Sequence, residues 1–134
     1  MDDWNYCIKT LPKVSRTFAL NISVLRGNLH KSILIAYLFC RTIDTVEDAS
    51  NLEARTKANL LLDFASLLTN AVNKTTALNQ WLKNISIIDG STADLDLIKN
   101  TQRVFNVFES LQENHKQKII SSVCTMAQGM AYFQ

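Results

Sequence analysis

The chain's 134 residues, 47% of them apolar, suffice for one domain with a modest core. A net charge of +2 from dispersed cations leaves no electrostatic footprint for nucleic acid, and the longest apolar run, residues 33–40, is far too short to span a bilayer. The opening "MDDWNY" lacks the basic-then-apolar order of an export signal, so the sequence reads as cytoplasmic, with a peripheral place on a membrane left open.

Three Gly and one Pro are too few for a turn-rich β protein, and no strand-like alternation is sustained. The expected class is all-α, a single helical domain over residues 1–134. After a short entry segment, Pro12 precedes a helix through "SRTFALNISVL", which Ser15 can cap and Gly27-Asn28 end. A second helix is expected from about His30 to Ala49. The third covers "LEARTKANLLLDFASLLTNAV", where Leu60, Phe64, Leu67 and Leu68 recur at helical spacing. A polar patch, "NKTTALNQ", leads to a short helical piece around Trp81, and Asp89-Gly90 punctuates the chain. One helix then starts at Ser91 or Thr92 and aligns Leu95, Ile98, Phe105 and Phe108. The last segment is amphipathic from His115 to its final residue. Cys7, Cys40 and Cys124, odd in number and widely spaced, read as reduced thiols in packed positions.

Chemistry concentrates at "CRTIDTVEDAS", residues 40–50, directly after the apolar run. At about 100° per residue, Tyr37, Arg41, Asp44 and Asp48 fall within roughly 60° on one helix face, with Glu47 on its flank. Asp44 and Asp48 lie one turn apart, about 6 Å along the axis. Like charges at that spacing repel, so a cation is needed to offset them. Mg²⁺ commonly takes one or two protein carboxylates and completes its shell with water and phosphate oxygens. The second concentration is "KVSRTF", where Lys13, Ser15 and Arg16 gather two cations and a hydroxyl near a helix start. Arginines and a helix N-terminus suit a diphosphate, and Phe18 and Tyr37 suit a greasy pocket beside it. Taken alone, an acidic helix end beside Arg41 is more often a solvated, ion-paired face; its place straight after an apolar run turns it partly inward.

"LPKVSRTFALNI", "IAYLFCRTIDTVEDA" and "MAQGMAYF" resemble, in order and separation, three blocks of the squalene and phytoene synthase family, the head-to-head prenyl transferases. "DTVED" is closer to the squalene-synthase form of that family's first aspartate-rich motif. The resemblance implies an isoprenoid-synthase helical cup and condensation of two farnesyl diphosphates through a cyclopropyl diphosphate. Mg²⁺ would be the cofactor, with NADPH added for a squalene-type product. By the same resemblance, Asp44 and Asp48 bind Mg²⁺ with Glu47 in support, Arg41 and Arg16 hold diphosphate, Ser15 donates a hydrogen bond to it, and Phe18 and Tyr37 face the prenyl chain. Arg41 has an alternative partner in Asp44.

Two departures from the family pattern qualify this. Ala127 stands where the third block often has Gly. The second aspartate-rich motif, expected across the cavity from the first, does not occur in the sequence, so an N-terminal half of the cup is expected. Such a half would belong to a longer enzyme, be completed by a second polypeptide, or survive as a non-catalytic binding module. Its cavity-facing residues, among them Ile33, Tyr37, Ile119 and Met130, are then expected to be more open than an ordinary core.

Overall fold

A computed structural model describes residues 1–70 and 74–134. Eight helices occur among the described residues, and no strand: α1 (Asp3–Val14), α2 (Arg16–Ile22), α3 (Gly27–Asp48), α4 (Ala54–Thr69), α5 (Lys74–Asn84), α6 (Thr92–Lys99), α7 (Thr101–Glu109) and α8 (Glu113–Tyr132). The all-α expectation holds.

The apolar run of the sequence lies in α3, the spine of the fold. Leu34, Ile35, Leu38, Phe39, Ile43 and Val46 are all buried there, and α1, α4, α6, α7 and α8 pack around it. Phe39 centres an aromatic cluster, with ring centroids 5.7 Å from Phe64, 5.0 Å from Phe105 and 5.4 Å from Phe108. These offset and edge-to-face contacts are worth about 0.5–1.5 kcal/mol each beyond area burial. Trp81 of α5 closes one side and satisfies its indole N–H on the Leu60 carbonyl at 2.9 Å.

Several boundaries differ from the sequence reading. The entry segment is a full helix, α1, capped by Asp2, whose carboxylate accepts from the Asn5 N–H at 2.7 Å. Pro12 precedes α2 as expected but also sits in the last turn of α1, where its missing N–H leaves the carbonyl of exposed Ile8 without its helical donor. Ser15 does cap α2. Gly27 opens α3 three residues early with φ +58°, a left-handed conformation that costs glycine little. The polar patch belongs to α5 from Lys74 onward. Residues 71–72 of the expected third helix and residue 73 of the patch lie outside the described residues. The expected single helix after Ser91 is two, divided at Asn100, which ends α6 and begins α7. Its side-chain amide donates to the Asp96 carbonyl at 2.9 Å, the local competition with the helix ladder that makes Asn a helix terminator.

Of the residues expected to be open, Ile33, Tyr37 and Met130 are half-buried, whereas Ile119 is buried. Ala127 is fully buried, so a methyl group is accommodated at the position where the family pattern often has Gly. No described helix is long and apolar enough to cross a membrane.

Candidate functional site

Tyr37, Arg41, Asp44 and Asp48 lie along the C-terminal half of α3 as the helical period requires. Tyr37 and Phe18 stack with centroids 4.1 Å apart and planes 15° from parallel, so α2 and α3 meet through the two aromatics expected to line a pocket. Ser15 Oγ accepts from the Phe18 N–H at 3.2 Å. Serving as cap acceptor leaves its hydroxyl proton free to donate. Arg16 is exposed at the start of α2, roughly 200° around that short helix from Phe18, so it stands on the face opposite the aromatic pair.

Arg41 is held by a partner the sequence reading did not identify. Its Nε donates to Asp94 Oδ1 at 3.0 Å and its Nη2 to Asp94 Oδ2 at 3.1 Å, a two-pronged pair. This corrects the expectation that Asp44 was the alternative partner: Asp44 acts on Arg41 only at longer range. The hydrogen bond donated to Asp94 is the first cause that holds the guanidinium above its ordinary pKa. Asp94 is 8% exposed and lies in the first turn of α6, where its own N–H caps onto Ser91 Oγ at 3.1 Å. One signal was present in the sequence. Asp94 shares a face of α6 with Leu97 and Ile98, both buried, and a carboxylate on a buried face needs a cation.

Asp44 is half-buried and Asp48 exposed. Burial first, then repulsion from Asp48, pushes the Asp44 carboxyl above its ordinary range, with Arg41 pulling the other way. The Cys40 thiol one turn earlier is pushed up too, by burial and then by Asp44. Glu47 stands about 100° around the helix from Asp48, and its backbone carbonyl accepts from Lys57 Nζ at 2.7 Å. Among the described residues no three His, Cys, Asp or Glu side chains meet in a metal-holding group, so Asp44, Glu47 and Asp48 do not converge as a set of three. Two hard carboxylate oxygen donors on one rigid wall, one of them strained by its like-charged neighbour, still fit a Mg²⁺ ion that keeps water and phosphate in its shell.

Two hollows flank this stripe. A polar cleft of about 240 Å³ is bounded by Arg41, Thr45, Asp48, Asp89 and Asp94. The loop after α3 is tied across it by Ser50 N–H to Asp89 Oδ1 at 2.8 Å and Asn51 Nδ2 to the Ile87 carbonyl at 2.6 Å. Toward the other end of α3, an apolar groove of about 230 Å³ runs between α3 and α8 past Ile33, Ala36 and Ile119, where Ser32 Oγ and His115 Nδ1 share a hydrogen bond of 2.6 Å. Ile33 and Asp44 are about 16 Å apart along the helix axis. An amphiphile with an anionic head and an apolar tail matches that gradient.

The fold and this stripe define an all-α chain with one acidic wall beside an aromatic and aliphatic surface. The squalene/phytoene synthase family pattern matches residues 11–134, and the chain belongs to that family. Squalene synthase BSS of Botryococcus braunii is 32% identical over 133 residues, which cover 98% of this chain and 26% of that protein. Squalene synthase 10 of Panax ginseng is 30% identical over 130 residues, covering 97% and 28%. A solved TcSQS–ligand complex superposes with a TM-score of 0.82 at 27% identity, covering 98% of this chain and 35% of that one; a second gives 0.80 at 24%. The chain therefore spans about a quarter to a third of the length of these relatives.

Proposed function

We propose that this chain supplies the first Mg²⁺–diphosphate wall of a head-to-head prenyl transferase acting on farnesyl diphosphate. The observation that carries the reading is the half-buried Asp44, one turn from Asp48 and in line with the stacked Phe18 and Tyr37. Asp44 and Asp48 would hold the ion, with Glu47 adding negative charge from the flank. Bound there, Mg²⁺ supplies neutralisation of the charge that builds on a departing diphosphate. Arg41, fixed by Asp94 through two of its five N–H groups, keeps three for phosphate oxygens. Ser15 offers its hydroxyl proton and Arg16 a second guanidinium at the rim.

Phe18, Tyr37 and the Ile33 groove give the prenyl chain an apolar bed. Excluding water there protects the allylic cation until the double bond of an acceptor attacks it. NADPH enters this reading only as the reductant for a squalene-type product, and no residue of this chain is assigned to it. Because the chain spans a fraction of its relatives' length, the opposing wall of the cavity and complete turnover are assigned to a further part of the enzyme, in the same polypeptide or in a second one.

Isothermal titration of the 134-residue chain with inorganic diphosphate and then farnesyl diphosphate, each with and without Mg²⁺, tests the reading. Binding of both ligands that requires Mg²⁺ is expected, with no prenyl product from the chain alone. Equal binding with and without the metal, or none in either case, overturns it in favour of a helical module that kept the fold without the site.

A further inference from the structure

Charge is unevenly distributed along this nearly neutral chain. Residues 4–43 hold six of the fourteen Lys and Arg and none of the twelve Asp and Glu. Of those six, Arg41 is committed to Asp94 and Lys31 is half-buried over the Trp4 ring, which leaves Lys9, Lys13, Arg16 and Arg26 exposed on α1, α2 and the segment before α3. The two acids that precede them lie at the far end of α1 from Lys13 and are engaged, Asp2 as a helix cap and Asp3 with Arg103 and Asn106.

Large aliphatic side chains stand out from this same corner. Leu20 is 69% exposed, Val24 74% and Leu29 52%. Ile22 is buried and Phe18 packs on Tyr37, so α2 already has an inward face; Leu20, about 200° around the helix from Phe18, projects from the opposite one, and Val24 lies in the turn just past the helix. Leu29 follows in the first turn of α3, just past the Gly27 bend. Exposed Lys13 and Arg26 flank these tips along the chain. Aliphatic branches gain from entering hydrocarbon, and cations around them are drawn to anionic headgroups.

We propose that the α2–α3 corner, tipped by Leu20, Val24 and Leu29 and flanked by Lys13 and Arg26, docks the protein on an anionic phospholipid surface. Leu29 also lines the apolar groove beside Ile33, so the corner adjoins the proposed prenyl bed; vesicle binding measured without Mg²⁺ or diphosphate tests the surface apart from that site.

Co-sedimentation of the 134-residue chain with vesicles of phosphatidylcholine alone, and of phosphatidylcholine with about a third phosphatidylserine, tests it against the charge term. Binding is expected to the anionic vesicles only and to weaken in high salt. Leu20→Ser with Val24→Ser abolishes it, and Lys13→Gln and Arg26→Gln each lower the partition coefficient about fivefold. Ile87→Ser, a change at an equally exposed residue outside the corner (70%), leaves binding unchanged. Circular dichroism shows that each variant remains helical. Equal binding to neutral vesicles, or binding that survives the double serine change, overturns the proposal. So does absence of vesicle binding together with a chromatographic dimer that the double change dissolves, which assigns the corner to a second copy of the chain.

Discussion

Arg41 of α3 and Asp94 of α6 form a two-pronged ion pair across 53 residues of sequence, and the two sides of it are unequally buried. The Arg41 side chain is 35% exposed, that of Asp94 12%. Removing either partner therefore has different consequences. Arg41→Ala strands a carboxylate that water can hardly reach, and is expected to cost about 3 kcal/mol. Asp94→Ala leaves a guanidinium that can turn to solvent, and should cost only about 1 kcal/mol. Arg41→Lys keeps the charge but loses the fork, so it falls between the wild type and Arg41→Ala. Urea denaturation of the three variants gives the order directly; equal losses for the two alanine changes would show that burial does not govern this pair.

The same pair marks where the sequence stopped being legible. The stripe of α3 could be read because an apolar run and a 100° period fix which side chains share a face, and Tyr37, Arg41, Asp44 and Asp48 needed no more than that. Ser15 was readable as a cap because capping is local. Asp94 is remote in sequence and its role depends on how α6 lies against α3, which periodicity does not encode. The break at Asn100 was hidden for a related reason: Ile98, Phe105 and Phe108 all reach the core although the helix that carries them is interrupted. The helix before Pro12 was hidden because proline reads as a break in the sequence, whereas Asp2 caps α1 locally and Tyr6 Oη, donating to Asp96 Oδ2 at 2.8 Å, ties it to α6.

Asp44 should oppose stability at neutral pH. Its folded-state pKa lies above the ordinary carboxylate value, through burial and then Asp48, so between the unfolded and folded values the native chain holds more protons than the unfolded one. Stability then falls as pH rises through that window, and the penalty is complete above it. Asp44→Asn removes the penalty. In chelator-containing buffer the variant is expected to be more stable than the parent at neutral pH, with the two converging as pH drops below the ordinary Asp range. Urea midpoints across a pH series measure this, and a variant less stable at neutral pH would contradict it.

Asp48 is exposed, so Asp48→Asn should leave the urea midpoint nearly unchanged. As an uncharged near-isostere it offers a much weaker ligand for Mg²⁺, and loss of a charge-assisted contact corresponds to about tenfold or more in affinity. Mg²⁺-dependent binding of inorganic diphosphate should fall by that factor in calorimetry while helicity persists. In an enzyme with both walls, turnover should be largely abolished. Parental affinity in the Asn variant would remove Asp48 from the metal site.

Phe18 separates the two ends of the proposed ligand. Its ring stacks on Tyr37 on the apolar side of the stripe, so it should serve the prenyl chain and not the diphosphate. Phe18→Ala removes a partly buried aromatic pair worth about 0.5–1.5 kcal/mol beyond area burial, a modest loss because the side chain is only half-buried. Its larger effect should be selective: farnesyl diphosphate binds about tenfold more weakly, since an aromatic wall of the bed is gone, while inorganic diphosphate binds as before. Phe18→Leu restores apolar volume without the stack and should recover most of the farnesyl diphosphate affinity. Asp48→Asn, by contrast, should weaken both ligands alike. If Phe18→Ala lowers the affinity for inorganic diphosphate as much as for farnesyl diphosphate, the aromatic pair supports the helix junction at Ser15 and does not form a prenyl bed.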